Sequence, residues 1–266
     1  MTYFIFNANP WFLVIALLLL LFVSIEVPYR FGLVFPRLMP ANMDSFSVAQ
    51  AGLLTLASFV LGLSFSQAQA RFDARRALVV KEANAIGTTW LRADQLGKTD
   101  GSRFRRILSD YTLTRLIAYQ TRGMMTAEKR GIYDRAIVQS NRDQNRMWSI
   151  VSGAVRTHPA SLGLSLLMET LNETIDVSAE QVEALSSHIP TAVVLLTFAL
   201  VTLGTLSTGF RFAAAQSRPA LFSAVFIIAN VVVINMMIDY DRPESGFVTI
   251  NLNPIRTQLQ AMQTPP

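Results

Sequence analysis

The stretch from Ala49 to Leu96 limits what this chain can fold into more than any other. Ala51 to Phe65 carries no charge, whereas Arg71, Phe72, Asp73, Arg75 and Arg76 follow at once, and no proline or turn cluster separates the two parts. One helix passing from hydrocarbon into water is the simplest reading. At 1.5 Å per residue its 48 positions extend roughly 72 Å, more than twice the ~30 Å of a bilayer core, so about half of it projects beyond the membrane.

The rest of the 266-residue chain agrees. With 51% hydrophobic and 15% charged residues and a mean hydropathy of +0.35, it is too apolar for an ordinary soluble domain, and its apolar residues are clustered. There is no cysteine, which excludes disulfides, thiolate metal sites and cysteine nucleophiles. Charge is uneven: residues 71 to 156 hold 17 Lys/Arg and 8 Asp/Glu, while 157 to 188 hold 5 acids and no Lys/Arg. The basic block is read as solvated helix faces, with anionic lipid or small anions as the alternative partners.

In chain order, the apolar run after Pro10 resembles the core of a signal peptide. It lacks a basic flank before it and an A-x-A-type site after it, so it is taken as a retained first span. Pro28, Pro36 and Pro40 are expected to make the next loop extended and non-helical, with Asp44 or Ser45 capping the second span. Turn clusters at Gly97 to Gly101 and Gly123 to Thr126 predict helices near 102 to 121 and 127 to 156, with Thr126 as a cap. His158-Pro159 ends the latter. Leu164, Leu167, Met168, Leu171 and Ile175 then share one helical face, most simply for packing. Ser178-Ala-Glu-Gln181 has capping-box spacing and predicts that a new helix starts there and runs into the membrane. Pro190 to Phe210 and Pro219 to Ile238 are uncharged and long enough to span, joined only by Gly209 to Arg218 as a hairpin. After Asp239 an interfacial turn and a short extended piece, Phe247 to Leu252, lead to a closing helix signalled by Asn253-Pro254.

Several residues stand out chemically. Thr55, Ser58, Gly62, Ser66 and Gln69 recur every three or four positions on the second span, a stripe that suits either close helix packing or a narrow wet pore. Asn230, mid-span in the fourth helix, needs a partner there, and an interhelical hydrogen bond is preferred to a pore role. Arg71 and Arg75 share a face and Asp73 can pair with Arg76, placing four charged residues either at a pore mouth or against lipid phosphate. Asp239, Asp241, Arg242 and Pro243 suit a turn locked by Asp–Arg pairing in preference to a calcium site completed by Glu244. His158 and His188 are the only histidines, and no hydrolase, zincin or P-loop pattern occurs. Neither an enzyme nor a cofactor is expected.

Three segments together carry a resemblance: Phe72-Asp-Ala-Arg-Arg76 with Glu82-Ala-Asn-Ala-Ile-Gly87 and Trp90-Leu-Arg-Ala93; Leu171-Asn-Glu173 with Asp176 ahead of Ile189-Pro190; and Asp239-Tyr-Asp-Arg-Pro243 with Gly246. They resemble the bestrophin-like domain family of bacterial membrane proteins over about 45 to 260. That family is similar in layout to the bestrophins, homopentameric anion channels with four spans, a cytoplasmic helical domain between the second and third, and calcium after the last. The chain departs from the pattern at two points. It has no counterpart of the bestrophins' aromatic and aliphatic neck sequence, and Glu180-Gln181 stands where many relatives would carry arginine.

The expected fold is therefore an all-α membrane protein with four transmembrane helices, paired two and two around an inserted cytoplasmic helical domain. The segments are 10–70 (first two spans), 71–188 (helical domain), 189–239 (last two spans) and 240–266 (C-terminal segment). Basic residues near the membrane number five on the domain side and four on the other, so charge leaves orientation open. The resemblance places the domain and both termini in the cytoplasm of a bacterium, beneath its inner membrane. It also implies a homo-oligomer, a pentamer, that conducts small ions and is anion-selective. The alternative is a non-conducting scaffold or sensory protein whose helical domain binds a partner. Nucleic acid is not expected as a partner.

Overall fold

The computed structural model describes residues 10–38, 43–122, 127–242 and 247–263, and among them all regular structure is helical. The helices are α1 (Pro10–Val34), α2 (Met43–Arg92), α3 (Gly97–Thr121), α4 (Ala127–Thr157), α5 (Leu162–Ser186), α6 (Thr191–Ala214), α7 (Ala220–Asp241) and α8 (Asn253–Gln263). Single 3-10 turns lie at Pro36–Leu38 and Ala93–Leu96. The chain forms two compact units, one from residues 1–71 and 188–248, the other from 72–187 and 249–266. It passes from the first to the second within α2, which is unbroken from Met43 to Arg92.

Four helical stretches are long and apolar enough to cross a membrane, and the second and third of them run on into the second unit. α1 packs most extensively on α6 and more lightly on α7. Their shared core includes Leu17, Leu21, Ile25, Val194, Val201, Ile234 and Ile238, with Leu61 and Ala68 of α2. Gly209 explains how closely α1 and α6 approach, because a Cβ there would lie 2.3 Å from the main-chain oxygen of Ile25. Pro28 was expected to open a loop, but α1 continues through it to Val34. A proline in a spanning helix is tolerated where neighbouring helices support the turn, and Pro28 lies against the Gly209 contact.

The second unit has two adjoining cores. One joins Ile86 and Ala93 of α2 to Phe104, Leu108 and Tyr111 of α3, Met147 and Val151 of α4, and Leu167 and Leu171 of α5. The other seats Ile255 of α8 against Val79, Ala83 and Leu116. Leu164, Leu167 and Leu171 are buried as the face pattern requires. The break at His158-Pro159 is present, and Ser161 caps α5 by accepting from the Leu164 amide at 3.4 Å.

Two boundaries differ from expectation. α3 begins at Gly97 after a 3-10 turn, so the glycine cluster is the helix's first turn and not a loop before it. α5 runs straight through Ser178-Ala-Glu-Gln181 and ends at Ser186. Ser178 is buried, accepts from Gln144 and donates to the Ile175 carbonyl, so its hydroxyl serves a helix interior. The expected cap at Thr126 lies outside the described residues.

Candidate functional site

The stripe on the second span faces away from its own chain. Thr55, Ser58, Gly62, Ser66 and Gln69 are all exposed, while Ala57, Leu61, Ser64 and Ala68 form the buried side of the same helix. A Cβ on Gly62 would meet nothing within 4 Å, so this glycine does not serve packing inside the chain. Thr55 donates to the Ala51 carbonyl at 2.8 Å, which satisfies its proton while leaving lone pairs outward. The buried side makes its own polar contacts with α6, through Ser64 and Thr197 at 3.0 Å and Gln50 and Thr208 at 3.1 Å.

Of the spans, the second is the least covered. Only 11% of its most apolar stretch is buried, against 33 to 39% for the other three. The outward face therefore combines neutral hydroxyls, a glycine and an amide on the helix with the least intrachain packing. Asn230 is half-buried and donates to the Phe226 carbonyl at 2.9 Å within its own helix. That bond occupies one of its two amide N–H donors.

The charged cluster beyond the span does not act as one group. Arg75 is 1% exposed and donates to the Ala184 and Ser187 carbonyls at 3.0 and 2.6 Å. It thereby satisfies orphan carbonyls at the C-terminal end of α5, where a cation is also favoured by the helix dipole. This replaces the expectation of an arginine presented at a pore mouth or to lipid. Asp73 and Arg76 are both exposed and form no ion pair with each other. Arg71, on the last turn of the first unit, is half-buried.

After α7 the chain turns around two buried carboxylates. Asp239 accepts from Arg242 at 3.4 Å and from the Phe247 amide at 2.8 Å. Asp241 takes the Ile189 amide at 3.1 and 3.2 Å and lies 3.2 Å from His188 Nδ1. The start of α6 is thus tied to the end of α7, and Asp239 lies in ion-pair range of Arg242. Pro243 and Glu244 lie outside the described residues.

A family model of the bestrophin-like domain matches residues 48–255. The chain belongs to this family. Solved structures agree in fold. A bacterial bestrophin homologue from Klebsiella pneumoniae superposes with a TM-score of 0.67 at 19% identity, covering 96% of this chain and 99% of that one. A single-substitution form of the Klebsiella homologue gives 0.68 at 17% identity, covering 97% and 100%. No curated protein matches the sequence.

The described part of the turn after the last span is already taken up by protein donors. Both Asp239 oxygens and both Asp241 oxygens face N–H donors, and the Arg242 cation sits beside them.

The second unit holds a buried polar network that sequence reading missed. Arg115 grips Glu82 with two bonds, at 2.6 and 3.3 Å, and both side chains are almost fully buried. Tyr119 donates to Glu82, and Tyr111 does so at 3.5 Å. Gln144 bridges Tyr111 to Ser178 at 3.4 and 2.7 Å, so α2, α3, α4 and α5 are joined. Burial first, and the Glu82 charge second, push Tyr111 up to about 12 and Tyr119 well above its ordinary value. Glu82 lies at i+7 from Arg75 and Arg115 sits among apolar neighbours, a spacing that could have marked both as inward-facing. Beside the network, Gln181 is fully buried and neither amide heavy atom has a partner among the described residues. The adjacent Glu180 pairs at the surface with Lys81 at 3.3 Å.

Proposed function

We propose that this chain assembles into a homo-oligomeric channel of the bestrophin type that conducts small ions passively. The central path is lined by the outward face of the second span, in a bacterial inner membrane with the helical domain and both termini in the cytoplasm. The observation that carries the reading is that face: Thr55, Ser58, Gly62, Ser66 and Gln69 lie exposed on the span its own chain covers least. Repeated around an axis, such hydroxyl and amide rows replace part of an ion's hydration shell, whereas lipid offers them no partner. A pentamer follows from the resemblance to the bestrophins. Anion preference no longer draws support from Arg75, which is committed to its own domain. Arg76 remains exposed and has no ion-pair partner among the described residues.

The chain has no cysteine, so a single introduced thiol reports one position. Purified protein in liposomes is expected to pass ions. Ser58→Cys and Ser66→Cys are expected to lose flux when treated with a charged, water-soluble thiol reagent, and Val225→Cys on the fourth span is expected to be unaffected. Reversal potentials under a salt gradient then assign anion or cation preference. Absence of flux above empty liposomes across pH and calcium, with an oligomer still present, would replace the channel reading with the non-conducting scaffold.

A further inference from the structure

The first unit contains a cavity of about 370 Å³ lined by four polar and five apolar side chains, three of the latter aromatic. Its polar side chains are Ser47 and Gln50 from α2 and Thr208 and Arg211 from α6; Leu54, Phe212, Phe222 and Phe226 are the larger apolar ones. Depth in the membrane follows from the helix ends. Arg211 lies in the last turn of α6, while Ser47 and Phe222 lie near the starts of α2 and α7. The cavity therefore sits where hydrocarbon gives way to headgroups.

Arg211 is the unusual member. Of the three other arginines described at this end of the spans, Arg30 and Arg218 each reach Glu26 at 2.7 Å, and Arg37, in the 3-10 turn after α1, does not line the cavity. Arg211 is exposed and reaches only the Ser47 hydroxyl, a neutral acceptor, with no carboxylate in ion-pair range among the described residues. A guanidinium offers five donors in a planar fork suited to phosphate, and most of this one remains uncommitted. Beside it, Gln50 and Thr208 are held to each other at 3.1 Å, which keeps hydroxyl and amide groups aimed along the same wall. The aromatic remainder is unsuited to a hydrated inorganic anion and suited to an acyl chain.

We propose that this cavity is a phospholipid site: Arg211, assisted by Ser47, holds the headgroup phosphate, and the acyl chain lies against Leu54, Phe222 and Phe226. Anionic lipids bind in preference to zwitterionic ones, because their net charge is balanced by Arg211 alone. The site needs no conduction, so it stands or falls separately from the channel reading.

The test uses full-length protein purified in detergent. Native mass spectrometry counts bound phosphatidylglycerol, and thermal unfolding is followed with phosphatidylglycerol, phosphatidylcholine or inorganic phosphate added at equal ionic strength. Wild type is expected to retain phosphatidylglycerol and to melt higher with it. Arg211→Gln is expected to lower occupancy roughly tenfold, the loss of one charge-assisted contact. Arg211→Lys is expected to fall between, and Arg37→Gln to match wild type. Phe222→Ser is expected to release lipid while changing nothing with phosphate. The proposal is overturned by wild type with no adduct, which would fit a neighbouring copy filling the cavity. It is also overturned by undiminished binding in Arg211→Gln, or by inorganic phosphate raising the melting temperature as much as the lipid does. Elution of each variant as the wild-type oligomer separates these outcomes from misfolding, and Arg211→Lys keeps the test decisive if Arg211→Gln does not fold.

Discussion

Two halves of one helix obey different rules. From Met43 to Arg71, α2 buries only small or aliphatic side chains, such as Ala57, Leu61, Ser64 and Ala68, and turns a mildly polar face outward. From Phe72 to Arg92 it buries Arg75, Val79, Glu82, Ile86 and Thr89. The second half can bury ions because four helices bring donors and a countercharge to them. In the first half the neighbours are apolar spans, so buried polarity stops at hydroxyls that bond a preceding carbonyl or one another. The contrast teaches where each half is vulnerable: the domain at its charges, the membrane part at its close contacts.

The sharpest way to break the contrast is to unbalance the buried pair. Glu82→Gln or Arg115→Met leaves one desolvated charge without its partner, and should destabilise the helical domain by about 3–5 kcal/mol. The double change Glu82→Leu with Arg115→Met should recover much of that loss. Chemical denaturation of the detergent-solubilised protein checks both, and equal instability of the double and single variants would show that the charges themselves are not the cause.

A smaller effect comes from pH. Tyr111 is held neutral in the folded domain, its value raised to about 12 by burial and then by the Glu82 charge. An acid whose folded value is raised contributes nothing to the pH dependence below its unfolded value near 10, and folding weakens between about pH 10 and 12 as the unfolded chain deprotonates first. The loss attributable to this side chain should reach roughly 2–3 kcal/mol. Tyr111→Phe should flatten that alkaline slope, although its neutral-pH stability falls through the lost contact with Gln144. An unchanged slope would place the alkaline transition elsewhere.

In the membrane part the corresponding test is steric. Gly209→Val drives a side chain into the Ile25 carbonyl, a backbone atom with no rotamer to escape by, and should destabilise the α1–α6 contact by about 1–3 kcal/mol. Gly62→Val meets nothing within 4 Å in its own chain and should leave thermal stability of the dissociated chain unchanged while abolishing flux or assembly. Comparable melting of the two variants would erase the distinction between inward and outward faces of the spans.

How much of this was legible in the sequence depends on which force decided each feature. The spans and the continuity of α2 follow from long uncharged runs without proline, a signal that neighbouring residues cannot override, and the closing helix follows from Asn253-Pro254. Pro28 and Ser178-Gln181 misled because local breaker and capping patterns yielded to packing, against Gly209 in one case and into the buried network in the other. The stripe was found, but its direction was not, since periodicity identifies a face without saying what covers it. Arg75 read as a pore-mouth or lipid contact and Glu82 was given no role, because burial of an ion depends on distant partners: the Ala184 and Ser187 carbonyls for one, Arg115 and Tyr119 for the other.

The smallest expected effect lies just past the point where the halves of α2 meet. Asp73 and Arg76 have the spacing of a helical ion pair yet remain exposed and separate. Asp73→Asn and Arg76→Gln should each change stability by less than about 0.5 kcal/mol, and a double-mutant cycle should give coupling near zero. Arg76→Glu should be equally silent in unfolding. If the outward face of α2 lines a conducting axis, though, that reversal of charge near its end should move the reversal potential toward cation preference, and more so at low ionic strength, where screening is weaker. A shift in selectivity without a shift in stability would tie this exposed charge to ion passage; the opposite pattern would make Arg76 a structural residue like Arg75.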